Sequence, residues 1–145
     1  MKAQPAVHLR PATDADLPFL LALRRLTMDP HHAAVGIAQS AEEQEARVRS
    51  HFDSALVIEW GGDPVGLWKV LRDPAGWRLA QVQILPSHQR AGIGARLVAG
   101  LVADGRAAGV PVVLSVLKRN PARRLYERCG FVVVDEGDLS YEMRA

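Results

Sequence analysis

Residues 84–94 join the end of an apolar run to a short polar loop with two glycines, an arrangement that suits anion binding. The apolar run stops before Pro86, and an amphipathic pattern begins at Ile93. A strand, a glycine loop and a helix start in this order bring unpaired backbone N–H groups together, and the helix dipole favours negative charge there. Gly92 and Gly94 let a phosphate approach the backbone because they lack a Cβ atom. We therefore expect a ligand that carries a pyrophosphate.

Two better-known phosphate-binding loops do not fit this spacing. The P-loop requires Gly-x-x-x-x-Gly-Lys-Ser/Thr, and the lysine and the hydroxyl are missing here. A Rossmann fingerprint requires Gly-x-Gly-x-x-Gly after the first strand, whereas its third glycine position is Leu97 and the loop lies beyond the middle of the chain. The form that remains is Gln/Arg-x-x-Gly-x-Gly/Ala, which Gln89, Gly92 and Gly94 supply.

A second motif follows about thirty residues later, where Asn120 to Phe131 reads Asn-Pro-Ala-Arg-Arg-Leu-Tyr-Glu-Arg-Cys-Gly-Phe. Together the two motifs resemble the GNAT superfamily of N-acetyltransferases. In that family a loop of the first form holds the pyrophosphate of acetyl-CoA, and an Asn…Leu-Tyr-Glu-x-x-Gly-Phe segment lies beside the thioester. The resemblance extends more loosely over nearly the whole chain.

The resemblance implies an acetyl-CoA site and a role for each matching residue, without a metal. Tyr126 is the implied catalytic residue, which protonates the departing thiolate. A phenol of pKa ~10 can share a proton with a thiolate of pKa ~8.5. The implied cofactor-binding residues are Ile84, Leu85, Gln89, Arg90, Ala91, Gly92, Ile93, Gly94, Ala95, Asn120, Ala122 and Tyr126.

Ile84 and Leu85 are expected to contact the co-substrate through their main chain, because both side chains are apolar and are expected to pack in the core. In the family the corresponding strand bulges and separates from the next one. A backbone N–H there faces the thioester carbonyl as an oxyanion-type donor. Asn120 either caps the following helix or hydrogen-bonds the pantetheine, and the two roles are compatible.

The elements that must position these residues follow from apolar spacing and turn sequences. Thr13 with Asp16 and Ser40 with Glu43 form capping-box patterns that predict two helices. The first helix is expected to run to about Met28, with a loop or broken helix over 29–39. Two later helices are expected after Gly92 and after Asn120. The predicted strands are Val7–Arg10, Ala55–Trp60, Val65–Leu71, Trp77–Leu85, Val112–Leu117, Phe131–Asp135 and Leu139–Met143.

The connections between these elements predict the topology. Short turns join the strands of residues 55–85, which therefore form an antiparallel meander. A strand, helix and strand across Trp77–Leu117 imply a parallel pair at the sheet centre. The order β-α-α-β-β-β-α-β-α-β-β predicts an α/β (α+β) fold, with one domain over residues 1–145 and a mixed central sheet flanked by helices on both faces. GNAT domains have this order.

Composition limits the class of protein and its surroundings. The net charge is only +2 and there is no polybasic tail, so nucleic acid is not an expected partner. No apolar run approaches the ~20 residues of a membrane span, and the N-terminal residues lack the apolar segment of a signal peptide. A single cysteine cannot form an internal disulfide, which fits a reducing compartment. We expect a cytoplasmic protein.

The general base is the point at which the sequence departs from the resemblance. Many family members carry a glutamate on the central strands, whereas this chain has Gln81 and Gln83 there. Glu59 is the only carboxylate inside the predicted strands of the meander. A water chain is an alternative base.

Two further residue types have competing interpretations. Cys129 could form an acyl-enzyme, but its position on an apolar helix stripe favours a small hydrophobic core residue. His31 and His32 could bind a metal as a pair, but no third ligand is apparent, which favours a loop.

The expected function is acetyl transfer from acetyl-CoA to a primary amine, of a small molecule or a peptide, by direct attack. Alternatives are a non-catalytic acyl-CoA sensor, transfer of another acyl group, or transfer to oxygen. In this fold two loops frame the acceptor, and here they carry Asp29, Asp135, Glu136 and Asp138, so an acidic rim for a cationic amine is one hypothesis. A homodimer is a further expectation.

Overall fold

The computed structural model of the chain describes residues 6–145. The five residues before them, which the sequence analysis includes in the domain, lie outside the described residues. Within 6–145, no helix has both the length and the apolar character needed to cross a membrane.

The first two helices begin where side chains satisfy free backbone N–H groups. The backbone N–H of Thr13 donates to the Asp16 carboxylate at 2.8 Å, a single 3₁₀ turn follows, and helix α1 then spans Leu17–Ala34. The second predicted box, at Ser40, starts helix α2 (Ala41–Arg49). Both capping-box predictions are confirmed.

Seven strands form one sheet, and two more helices complete the described chain. The order across the sheet is β1-β2-β3-β4-β5-β7-β6, in which only the β4–β5 pair is parallel. The predicted meander and the predicted central parallel pair are therefore confirmed. The elements are β1 (Val7–Pro11), β2 (Ala55–Trp60), β3 (Asp63–Asp73), β4 (Gly76–Ile84), α3 (Ile93–Ala108), β5 (Val112–Leu117), α4 (Ala122–Arg128), β6 (Val132–Glu136) and β7 (Ser140–Arg144).

Two hydrophobic clusters lie on opposite faces of this sheet. Leu20 and Leu23 of α1 pack with Val48 of α2 and with β2 and β3 on one face. On the other face α3 and α4 cover strands β3, β4, β5 and β7, and Leu101 and Phe131 are among the buried side chains there. A mixed sheet with helices on both faces confirms the predicted fold class.

Helix α1 differs from its prediction, because it continues past Met28 to Ala34 with Pro30 inside it. A proline removes the N–H that would bond to the carbonyl four residues earlier, which here is that of Leu26. The Leu26 side chain is 56% exposed, so this stretch of the helix borders solvent, where water can replace the lost donor. Of the two alternatives predicted for residues 29–39, a loop or a broken helix, the loop is wrong for residues 29–34, and the connection to α2 spans only residues 35–40.

The centre of the sheet is distorted on strand β4. Leu79 and Gln81 pair with consecutive residues of β3, so Ala80 is an extra residue that forms a β-bulge. Further along, Gly66 of β3 lies so close to β4 that an added Cβ atom would sit 2.4 Å from the Gln83 carbonyl oxygen. Eight residue pairs hold β4 against β3, and the bulge is the irregularity among them.

Candidate active site

Strands β4 and β5 are paired at only two positions, Trp77–Val112 and Arg78–Val113. Beyond them β4 continues to Ile84 and β5 to Leu117 without further pairing, so the strands diverge and leave backbone groups of β4 free on this side. A cleft of about 630 Å³ opens at the divergence. Its walls come from β4, the following loop, the start of α3, α4 and the second half of α1.

The glycine loop lies at the mouth of this cleft. Gly92 adopts a left-handed conformation with φ of 80° and ends a 3₁₀ segment (Pro86–Ala91), and α3 begins at the next residue. Gly92, Gly94 and Ala95 line the cleft, where the first-turn N–H groups of a helix have no intrahelical acceptor. A Cβ atom added at Gly92 would meet nothing within 4 Å, so the space above this backbone is open to a ligand.

The other loop residues divide between the cleft and the core. Gln89 and Arg90 line the cleft, and the Gln89 amide donates to the Ile84 carbonyl at 3.0 Å, which ties the loop to β4. Ile84 also lines the cleft. The three remaining predicted residues have side chains packed in or against the core rather than in the cleft lining, so only their main chain could serve a ligand: they are Leu85, Ala91 and Ile93.

The predicted residues around α4 all line the cleft. The Asn120 side-chain carbonyl accepts the Ala122 backbone N–H at 2.9 Å and so orders the start of the helix. Tyr126 is 8% exposed and packs edge-on against Phe131, with ring centroids 6.0 Å apart. Burial raises the pKa of the Tyr126 hydroxyl to about 12, so the hydroxyl is protonated at neutral pH and is a weaker acid than a free phenol.

Positive charge dominates the lining of the cleft. Arg90, Arg124 and Arg128 belong to it, and no lining residue in the described part of the chain carries a carboxylate. The cleft lining therefore gives no support to the acidic-rim hypothesis, and two of the four acids in that hypothesis have other partners. Glu136 pairs with Lys118 at 2.8 Å, and Asp29 accepts a hydrogen bond from the side chain of Gln44 on α2.

His31 is a cleft residue that the sequence analysis placed in a loop. It lies on the last turns of α1, at helical spacing from the lining residues Thr27 and Met28. Burial lowers the pKa of its imidazole below 6.5, so the ring is neutral at pH 7 and can accept a proton. The sequence did not predict a helical position for His31, because the adjacent Pro30 normally marks the end of a helix.

The remaining candidates are settled by their surroundings. Gln83 lines the cleft, whereas Glu59 forms an ion pair with Arg10 at the β1 edge of the sheet and cannot act as the base. Cys129 packs against the core, and burial raises the pKa of its thiol, which disfavours the nucleophilic thiolate. Among residues 6–145, no three His, Cys, Asp or Glu side chains are grouped as a metal site requires.

Comparisons with known proteins agree with this architecture. The Acetyltransferase (GNAT) family profile matches residues 20–131. No curated protein matches the sequence significantly. Three similar solved structures show the fold. An acetyltransferase from Thermus thermophilus has 21% identity and a TM-score of 0.76, over 99% of each chain.

The other two were solved with coenzyme A. PaiA N-acetyltransferase from Thermoplasma acidophilum has 17% identity and a TM-score of 0.73, over 96% of this chain and 98% of its own. Spermidine N-acetyltransferase from Vibrio cholerae, in complex with CoA and spermine, has 22% identity and a TM-score of 0.69, over 96% of this chain and 94% of its own.

The fold is that of the acetyltransferases in these comparisons, and the cleft has an exposed glycine backbone at its mouth. Because the family profile covers more than half of the sequence, the chain belongs to the GNAT acetyltransferase family, whose enzymes use acetyl-CoA. The open space above Gly92, the free first-turn N–H groups and the arginine-lined walls suit that co-substrate.

The first prediction tests the cradle. Gly92→Glu should weaken acetyl-CoA binding at least about 100-fold, since the substitution puts bulk and negative charge where phosphate would lie. Isothermal titration calorimetry measures the effect. Gly109→Glu is the matched control, because Gly109 ends the same helix with φ of 71° and open space around its Cβ position. Equal affinity of the Gly92 variant and the wild type would exclude the cradle.

Proposed function

We propose that this protein transfers the acetyl group of acetyl-CoA to a primary amine by direct attack. The observation that carries the proposal is that the glycine cradle, the free edge of β4 and the Tyr126 side chain border one cleft. The similarity to a spermidine N-acetyltransferase supports an amine as the acceptor class.

The cleft offers separate groups for the two ends of the co-substrate. Backbone N–H groups at Gly92, Gly94 and Ala95 would hold the pyrophosphate, and Arg90 and Arg124 would face its charge. The unpaired backbone of β4, between Leu79 and Ile84, would bind the pantetheine as a further strand would. A β4 N–H in the same stretch would stabilise charge on the thioester oxygen.

Two neutral side chains would then carry out the proton transfers of the reaction, one as the base and one as the acid. Acetyl-CoA supplies the acetyl group as a thioester, so that a C–N bond forms to the amine while the C–S bond breaks. His31 accepts the proton that the amine nitrogen loses, and Tyr126 donates a proton to the departing thiolate. Each group has the protonation state that its role requires at neutral pH.

The second prediction separates an enzyme from a non-catalytic sensor. Tyr126→Phe keeps the buried ring, so acetyl-CoA affinity should stay within about twofold, whereas turnover should fall about 100-fold or more because the thiolate loses its proton donor. Release of free CoA is measured with a panel of small-molecule and peptide amines, and affinity by calorimetry. Tyr141→Phe on β7, outside the lining of the cleft, is the control.

Two results would contradict the proposal in different ways. Undiminished turnover of the Tyr126 variant would remove that residue from the mechanism. Tight acetyl-CoA binding without turnover of any amine by the wild type would identify a sensor instead.

The third prediction concerns His31. In the wild type, kcat should fall on the acid side with a midpoint below pH 6.5, because burial lowers the pKa of His31 and only the neutral ring accepts a proton. His31→Gln should lose this acidic limb and be about 10- to 100-fold slower at pH 7. His8→Gln, at an exposed position of β1, is the control. An unchanged pH profile in the His31 variant would show that another group or water is the base.

A further inference from the structure

Helix α1 continues the cleft inward, toward α2 and the first half of β4. Arg24 precedes the lining residues Thr27, Met28 and His31 by three, four and seven positions, and therefore lies on the same stripe of the helix. On β4, Gln81 precedes the lining residue Gln83 by two positions and shares its face. The stripe and the strand face each other, because both belong to the contact between α1 and β4.

Polar atoms without partners accumulate in this region. Five side chains, each more than nine-tenths buried, have a buried nitrogen or oxygen atom with no hydrogen-bond partner among residues 6–145. A buried polar atom without a partner costs free energy, so several of them together indicate a site that a polar ligand completes. We call them the polar cluster: Arg24 and His32 of α1, Gln44 of α2, and Gln81 and Gln83 of β4.

Arg24 has no anionic partner in the described chain. It is 3% exposed, its Nε atom has no acceptor, and its Nη2 atom donates at 3.0 Å to the neutral side-chain oxygen of Gln39. Arg24 forms no ion pair with any residue of 6–145, and the nearby carboxylate of Asp29 is hydrogen-bonded to Gln44. A buried guanidinium normally has a carboxylate or phosphate partner, with which it forms paired hydrogen bonds.

The surroundings of Arg24 add positive charge. The positive charge of Arg47 lowers the pKa of Arg24, and the charge of Arg24 in turn lowers the pKa of Lys69. The Lys69 ammonium is satisfied by backbone carbonyls at the end of α2, including that of Val48 at 3.0 Å, and so needs no anion. Burial, with a smaller effect from Arg47, lowers the pKa of Arg24 to about 10, which still leaves the guanidinium charged at neutral pH.

We propose that the acceptor is a small amine that carries a carboxylate, and that Arg24 binds this carboxylate at the inner end of the cleft. The proposal rests on the acetyltransferase function proposed above and specifies its acceptor. A carboxylate oxygen would replace the neutral Gln39 oxygen on Arg24, and a charge-assisted bond is the stronger of the two. A polyamine acceptor is disfavoured, because its second cation would meet Arg24.

The depth of Arg24 restricts the acceptor to a small molecule. A group that reaches a side chain 3% exposed must enter between α1 and β4, past Thr27 and Gln83. The unpartnered side-chain oxygens of Gln81 and Gln83 are then available as hydrogen-bond acceptors for polar groups of the same ligand.

The test compares amino acids with their α-amides and with the corresponding decarboxylated amines, using kcat/KM from release of CoA. We expect the acids to be preferred over both neutralised forms by about 10- to 100-fold, the usual size of one charged hydrogen-bonded contact. Basicity cannot cause this preference, because an α-amide is less protonated at neutral pH than its parent acid.

Variants of Arg24 test whether this residue causes the preference for amines that carry a carboxylate. Arg24→Met should raise KM for the acids about 10- to 100-fold, with acetyl-CoA affinity unchanged, and Arg24→Lys should restore part of the loss. Arg25→Met is the matched control, since Arg25 is the adjacent residue of α1 and is exposed. In the ligand-free protein, Arg24→Met should leave the thermal midpoint equal to or above that of the wild type, because it removes an unpaired buried charge.

The outcomes are distinguishable. Equal or better turnover of amines without a carboxylate, or a preference for acids that persists in Arg24→Met, overturns the carboxylate site and leaves the acetyltransferase proposal standing. A thermal midpoint several degrees below that of the wild type shows that the protein itself compensates Arg24, which also overturns the site. Absence of turnover with every amine, despite acetyl-CoA binding, overturns both proposals.

Discussion

The early separation of β4 from β5 is the constraint on which the site depends. After two residue pairs the parallel partners part, because each is held more firmly by its other neighbour. Eight residue pairs join β4 to β3 and five join β5 to β7, against two between β4 and β5. The sheet thus contains a gap with free backbone groups along β4. A parallel pair that continued to Leu117 would close the cleft.

Helix α2 lies on the same face of the sheet as α1 and is bonded to the distorted strand. The Arg47 side chain donates at 3.2 Å to the carbonyl of the bulged Ala80, and the Gln81 side chain donates back to the Arg47 carbonyl at 3.4 Å. Lys69 of β3 donates to carbonyls at the end of the same helix, where a positive charge also suits the helix dipole. The bulge is therefore part of a set of hydrogen bonds that joins β4 and β3 to helix α2.

Local patterns predicted the elements well, and the glycine motif predicted the mouth of the cleft. Reciprocal side-chain bonds at Thr13 and Ser40 depend on residues three positions apart, so the sequence alone reveals them. The extent of α1 was not predictable in the same way, because Pro30 normally ends a helix and its tolerance depends on the exposure of the preceding turn. His31 was misplaced for this reason.

The region around Arg24, where we propose that the acceptor binds, depends on contacts that sequence spacing cannot show. Asp29 was expected to belong to an acidic rim. In the structure its carboxylate accepts a hydrogen bond from Gln44, which lies fifteen positions further along the chain. Arg24 follows the buried Leu20 by four positions and so lies on the apolar stripe of α1, whereas the exposed Arg25 lies off it. This spacing does not reveal whether Arg24 has an anionic partner, which only the packing of α1 shows.

The central claim is that acetyl-CoA binds in the gap between β4 and β5, with its phosphates on the start of α3. A titration of the ¹⁵N-labelled protein with acetyl-CoA, followed by the backbone amide signals, tests it most directly. The account predicts that the largest shifts occur at residues 79–84 of β4 and 92–95 of the glycine loop, and that the amides of β1 and β6 stay unchanged. Shifts confined to other surfaces, or none at millimolar acetyl-CoA, would contradict it.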